Sequence, residues 1–439
     1  MKLVSTRNSS HIVSFREAVL DCIPPDGGLY VPASEEDLRP WVMYMDETTS
    51  FASIAGTLTS ALLREEFSPV VCERIAGTAF AHSSPLLRQL DDRFYSLELY
   101  HGPTGCHKDF AFSWFASALE HLLVMEDREA TVLAATGGVT GRSLAAAFSG
   151  KKRLKLVLAY AKGTLAGLDP ESLAWNGGNI YPVEVEGDLK SAQELVRQIY
   201  SDPDLVSRFG LTLANTMNIG RLLPQVFFYM FAFTRLRKKV LGDIFYAVPS
   251  GNFGNLVAGL YAWKFSLPVN GFITDATAAL SCDATGQCMC MDSIVPLANR
   301  GAADPASPSN LERLEQVFQV NPMILRGLVF PSEVSQSSIP DIIYSMYRKY
   351  GILLDSAAAA ACGAIDAVSG RLNSDEGTVV LVSKDHPAFE ADFLRKTCGV
   401  SPSIPDSLAG IRDKVAGAQS IPVSTGHLRT ILENFSVRG

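Results

Sequence analysis

From Thr131 onward the chain alternates between short apolar runs rich in Val, Ile and Leu and longer stretches of helical periodicity. Residues 131–135, 154–160, 180–185, 244–248 and 379–382 have the composition of buried strands, and the segments between them leave room for crossover helices. One such segment shows the pattern clearly: Asp188 stands as a cap, and Leu189, Ala192, Leu195, Val196 and Ile199 fall on one helical face. The alternation predicts an α/β protein on mostly parallel sheet, with ligands at the carboxyl ends of the strands.

At 439 residues the chain exceeds what one hydrophobic core supports, so two or three domains are expected. Residues 1–90 read as a separate unit, in which the turn at Asp26, Gly27 and Gly28 feeds a short strand and helical periodicity follows over 51–63 and 70–81. With 47% hydrophobic and 19% charged residues the balance is that of a globular protein. A net charge of −8 without a long basic run argues against nucleic acid or an acidic membrane surface as partner. An anionic small substrate would have to be held by local donors.

The apolar stretch 222–233 contains Pro224 and Gln225 and falls short of the ~20 residues that span a bilayer, which predicts a buried helix. Arg7, His11, Arg16 and Glu17 interrupt the first twenty residues, so no secretory signal is read there and a cytoplasmic location is expected. The 8 cysteines lack paired spacings, which suits reduced thiols; Cys282, Cys288 and Cys290 have no nearby histidine, and no metal site is expected.

The chemistry concentrates in residues 99–112, Leu-Tyr-His-Gly-Pro-Thr-Gly-Cys-His-Lys-Asp-Phe-Ala-Phe. Gly102, Pro103 and Gly105 break regular structure, so Lys108 is delivered from a turn into an apolar helix over 110–124. Beside Phe110 and Phe112 its ammonium can be desolvated, which frees the neutral amine to attack a carbonyl and form a Schiff base. A surface lysine in a polar loop is the alternative.

A second signal follows the strand at 244–248: Pro-Ser-Gly-Asn-Phe-Gly-Asn over 249–255, then an apolar helix over 256–263. Glycines there let backbone amides converge, and the helix N-terminus adds positive potential, so a dianionic phosphate can bind without a lysine. On spacing alone the glycines serve a tight βα turn equally well. Neither a Walker sequence nor a dinucleotide fingerprint occurs at a strand end.

The 99–112 segment resembles the stretch around the cofactor lysine of threonine synthases, Phe-His-Gly-Pro-Thr-x-x-x-Lys-Asp-Phe. The resemblance begins at Ser5-Thr6-Arg7 and at residues 25–32, recurs at 215–221, 250–255 and His386-Pro387, and covers nearly the whole chain. It implies the fold type II of pyridoxal-phosphate enzymes: two parallel-sheet α/β domains plus a small, mainly helical N-terminal domain. The implied division is 1–90, then 91–125 with 236–439 as the large cofactor domain, and 126–235 as a small mobile domain. It also implies pyridoxal 5′-phosphate on Lys108, with its phosphate on Gly251, Asn252, Phe253 and Gly254.

The same resemblance implies conversion of O-phospho-L-homoserine and water to L-threonine and phosphate. Thr136, Thr140, Asn215, Asn218 and Arg221 become the expected substrate-binding residues, Arg221 through a bidentate contact to carboxylate or phosphate. A capped helix with a solvated arginine is the alternative reading of 215–221. The Pro-Ser-Asn-x-x-Arg stretch ending at Arg313 also resembles a family segment, and a cap at Ser309 or Asn310 accounts for it.

Several positions depart from the family pattern. Gly137 and Val139 replace a serine and an aspartate, Ala357 stands where a histidine is usual, and Ser383-Lys384-Asp385 replaces Gly-Thr-Ala before His386. Lys384 thereby occupies the place of a threonine that meets the pyridine nitrogen, and Ser383 is expected to take over by a one-residue shift. Two further readings stay in view: a related phospho-lyase or eliminase on another phosphorylated amino acid, and a non-catalytic paralogue.

Overall fold

The computed structural model describes residues 1–240, 242–283, 288–290, 299–319, 327–368 and 377–436. The chain opens with an antiparallel sheet of β1 (Lys2–Ser5), β2 (Val13–Ser14) and β3 (Tyr30–Pro32), in the order β2-β1-β3. Helices Phe51–Leu63 and Pro69–Ala79 follow, close to the spans that their periodicity predicts. β4 (Leu86–Asp91) and β5 (Phe94–Glu98) lead into helix Lys108–Met125. After it come β6 (Ala130–Thr136), β7 (Leu154–Ala161), β8 (Ile180–Val185) and β9 (Leu211–Thr212). The rest holds β10 (Ile244–Ala247), β11 (Gly271–Asp275), a hairpin of β12 (Leu280–Cys282) and β13 (Cys288–Cys290), β14 (Val329–Ser332), β15 (Thr378–Ser383) and β16 (Gln419–Ile421).

Two larger sheets result. One has the order β14-β11-β10-β15-β5-β4 and is parallel except for the β4–β5 hairpin; the other is wholly parallel in the order β16-β8-β7-β6-β9. This is the mixed α/β architecture that the alternation predicts. The pairings cross the expected boundaries at two places. β4 begins within residues 1–90 and crosses to Asp91, pairing with β5, and β16 lies within 236–439 yet pairs with β8. β16 carries no sequence mark of β8, because pairing partners far apart in the chain are chosen by packing, whereas β4 and β5 are neighbours joined by a tight turn.

Helix Lys108–Met125 is apolar on nearly every side because it is surrounded. Phe110, Phe112, Trp114, Phe115, Leu119, Leu122 and Leu123 are buried in a cluster that includes Tyr95 and Val380 of one sheet and Val132 and Leu158 of the other. Burying each large side chain contributes roughly 1.5–3 kcal/mol. The Trp114 indole donates to Thr59 Oγ1 at 3.0 Å, which ties the helix to the N-terminal unit. Residues 223–236 form a turn and helix Val226–Leu236, buried as expected, and no helix among the described residues is long and apolar enough to cross a membrane.

Candidate active site

Lys108 is the first residue of its helix, and the loop before it is pinned at both ends. The buried Asp109 carboxylate accepts from the Thr104 amide at 2.8 Å and from the Thr104 hydroxyl, which also bonds Ser143 Oγ at 2.7 Å. Gly102 is required beside it: a Cβ there would stand 2.6 Å from Asp109 Oδ2. Residues 105–107 pair with 384–386, through His107 N to Lys384 O at 2.7 Å and His386 N to Gly105 O at 2.8 Å. The end of β15 is thus tied to the loop that leads into Lys108.

The charges around Lys108 are arranged in pairs. Burial holds the His107 imidazole near neutrality, down to about 4, although Asp385 Oδ1 lies 3.5 Å away. Burial alone would raise the Asp385 carboxyl; the His107 ring nitrogen 3.5 Å away and the Lys108 charge outweigh it and hold the group ionised. Because His107 is neutral, the lysines supply the balancing charge. Cys106, His107 and Asp385 bring three ligand-type atoms within 4.8 Å of one another, but Lys108 and Lys384 face the same space and oppose a cation.

Lys108 lines a cavity of about 250 Å³ with Phe112, Thr136, Thr140, Asn215, Arg221 and Asn252. Arg221 is buried there, its guanidinium carbon 3.9 Å from the centre of the Phe112 ring, and its Nε and Nη1 have no partner. Burial pushes the group down to about 9, more than the nearby Cys106 and Asp109 side chains offset. An unpaired buried guanidinium calls for a carboxylate or phosphate. Thr136 Oγ1 accepts from Gly138 N at 3.2 Å and Gly141 N at 2.9 Å, holding the glycine turn at the head of helix Val139–Phe148, on which Thr140 lies.

The expected residues do not all gather in that cavity. Asn218 is turned away from it: its amide donates to Val19 O, Leu213 O and Cys22 Sγ, and its oxygen accepts from Gly220 N. That side chain is occupied as a helix cap. Asn215 lines the cavity with its amide on Pro305 O and its oxygen on Met217 N. Ser383 follows Leu381 on the face packed against helix Ser356–Val368, and its hydroxyl lies 3.3 Å from Ser96 Oγ. Val380 and Val382 take the face toward the lysine helix, and Lys384, just beyond the strand, donates to Pro249 O at 3.2 Å.

The 251–254 turn follows β10 and opens helix Gly254–Lys264. Gly251 (φ 48°) and Phe253 (φ 61°) both take left-handed backbone, a conformation that turns successive amides toward one point. Ser250 anchors the turn to β11 through Asp275, with N to Oδ1 at 2.8 Å and Oγ to Oδ2 at 2.6 Å. At Gly254 a Cβ would come within 3.1 Å of Asn252 Oδ1 and 3.2 Å of Asn310 Nδ2. A helix N-terminus, a left-handed turn and a lysine held by a pinned loop are a donor set that fits pyridoxal phosphate.

One part of the site was missed from the sequence. Arg313, fully buried, donates to Tyr30 O at 3.0 Å, Met217 O at 2.7 Å, Asn310 Oδ1 at 2.8 Å and Thr216 O. Thr216 Oγ1 in turn meets Asn252 Nδ2 at 3.1 Å and Asn310 Nδ2 at 2.9 Å. Asn310 and Arg313 therefore brace the loop at 216–217 against the 251–254 turn. The Pro-Ser-Asn-x-x-Arg pattern was the available signal, and a helix cap explained only its first residues.

Comparison with known proteins agrees with this geometry. The family described as "Pyridoxal-phosphate dependent enzyme" matches residues 71–384, and "Threonine synthase N terminus" matches residues 2–80. The chain is 31% identical to the threonine synthase of Escherichia coli over 447 aligned residues, covering 99% of this chain and 100% of that protein. It is 30% identical to that of Haemophilus influenzae, covering 93% and 94%. The crystal structure of the Escherichia coli threonine synthase superposes with a TM-score of 0.79 at 27% identity, covering 99% and 100%. That of PLP-bound threonine synthase from Brucella melitensis shares the fold at a TM-score of 0.82 and 22% identity, covering 100% of both chains.

Proposed function

This chain belongs to the threonine synthases among the pyridoxal-phosphate dependent enzymes, and on that premise we propose that its cleft converts O-phospho-L-homoserine and water to L-threonine and inorganic phosphate. The observation that carries the substrate side is Arg221, buried with two unpartnered nitrogens in the wall that also holds Lys108. Lys108 and the 251–254 turn are the residues that would hold the cofactor by its aldehyde and phosphate ends. Pyridoxal phosphate supplies an electron sink for the substrate's α-carbon.

The chain's own residues supply the rest. Among the described residues lining the cavity, Lys108 alone carries an amine, so its Nζ is the group placed to take a proton from substrate carbon and return it. Arg221 orients the substrate by its carboxylate or phosphate, with the Thr140 hydroxyl in the same wall. Phe112, Leu133, Leu144 and Leu189 make much of the remaining surface apolar, which restricts the water beside a bound substrate. Thr136 acts through the glycine turn that it holds.

Phosphate release from O-phosphohomoserine by the cofactor-loaded protein, with the amino-acid product identified in the same sample, tests this reading. Equimolar threonine is the expected result. Gly137 and Val139, which remove a hydroxyl and a carboxylate from the substrate loop, favour a second reading as an eliminase on another phosphorylated amino acid. An oxoacid product, or no release at all, would move the assignment there.

A further inference from the structure

Residue 384 is the first beyond β15, which lies beside β10, the strand that runs into the phosphate turn. The Lys384 side chain does not run to solvent. Its Nζ donates to Pro249 O at 3.2 Å and lies 3.4 Å from where a Cβ on Gly251 would stand. Pro249 and Gly251 flank Ser250 at the entry of the 251–254 turn, so the ammonium occupies the space that the glycine leaves open. One of its three N–H groups is used on Pro249.

The charges facing this ammonium come from every neighbouring element. Asp385 is adjacent in the chain, Asp355 precedes helix Ser356–Val368, Asp275 ends β11, and Lys108 and His107 belong to the lysine loop. Burial pulls the Lys384 ammonium down, and the three carboxylates oppose that pull. Asp275 is also the residue that anchors Ser250. A cation is therefore built into the edge of a turn that otherwise offers backbone amides and a helix N-terminus.

We propose that Lys384 is the cation of the phosphate cradle, reaching over Gly251 to donate to the dianionic phosphate of the bound cofactor. The proposal rests on the cofactor reading of residues 251–254 given above. It replaces the expectation that Ser383 turns toward the cofactor, since the Ser383 hydroxyl sits against Ser96 on the opposite face of the sheet.

The test compares the affinity of cofactor-stripped protein for pyridoxal phosphate and for pyridoxal, which lacks the phosphate, read from the visible absorbance of the bound ligand. The wild type should prefer pyridoxal phosphate. Lys384→Gln should cut that preference roughly 10- to 100-fold, as expected for a lost hydrogen bond to a charged group, and leave pyridoxal affinity unchanged. Lys384→Arg should keep most of the preference, and Ser383→Ala should alter neither affinity. If the glutamine variant does not fold, Lys384→Met reads the same ratio. An unchanged preference, or an equal loss for both ligands, overturns the proposal. A wild type indifferent to the phosphate would instead overturn the cradle reading, and the role of Lys384 with it.

Discussion

Two buried ionisable groups, Arg221 in the cavity wall and Asp355 behind Lys384, each have a measurable consequence. Arg221 is poised over Phe112 with Nε and Nη1 free, so its missing partner is taken to be the substrate. Replacing Arg221→Gln should raise KM for the phosphorylated substrate roughly 10- to 100-fold, because hydrogen bonds to charged groups contribute about 1.5–3 kcal/mol. The absorbance of the bound cofactor should not change; loss of that absorbance would mean that Arg221 serves the fold. Asp355 is the opposite case. Burial, with the Asp385 charge behind it, raises its carboxyl from 3.8 to about 7, so between those values the folded protein keeps a proton that the unfolded chain has lost. Stability from this group therefore falls as pH rises through that window. Asparagine can still accept from Ala358 N, as Asp355 does at 2.9 Å. The melting temperature of Asp355→Asn should gain a few degrees on the wild type between about pH 4 and pH 7, with the gap constant above. A gap independent of pH would remove the assignment.

At the scale of elements, the loop and helix carrying Lys108 act as one device. Gly102 lies against the Asp109 side chain, and Asp109 fixes Thr104, so a methyl group at 102 must displace the residue next to the lysine. Gly102→Ala is expected to lower cofactor occupancy, measured by visible absorbance, by an order of magnitude or more, since misplacement by about 1 Å costs on the order of 100-fold. Gly137 is the contrasting position, where a Cβ would meet only Leu189 Cδ2 at 3.6 Å. Gly137→Ala should leave occupancy unchanged; similar losses in both variants would show that the loop tolerates or rejects side chains for reasons other than the Asp109 contact. The lysine helix itself was legible in advance, because breakers at 102, 103 and 105 precede an apolar run. The strap made by Asp109, Thr104 and Ser143 was not, since Ser143 comes from a helix that reaches the loop only through tertiary packing.

Over the whole molecule, Arg313 joins the N-terminal sheet to the loop at 216–217, with its guanidinium spread over Tyr30, Thr216, Met217 and Asn310. Arg313→Met removes these donors and leaves buried carbonyls unpaired, at about 1–3 kcal/mol each. A markedly lower urea midpoint and a raised KM are expected together; a normal midpoint would show that the brace is dispensable. The alternation of strand and helix, the spans 51–63 and 154–160, and the lysine and glycine turns were all legible because each depends on local periodicity or on a few adjacent residues. Asn218 and Ser383 were misplaced because a motif marks a position in the chain but not the direction of its side chain. Cys22 and Val19, distant in sequence, occupy the Asn218 amide, and the parity of β15 turns Ser383 toward Ser96, while Lys384, beyond the strand, reaches Pro249. The sequence alone thus determined the α/β class and marked the positions of Lys108 and of the 251–254 turn, through patterns that short-range geometry enforces. Only the tertiary structure decided which charges meet at the cofactor site, because long-range strand pairing and burial set which face each side chain takes and whether a partner is left for it.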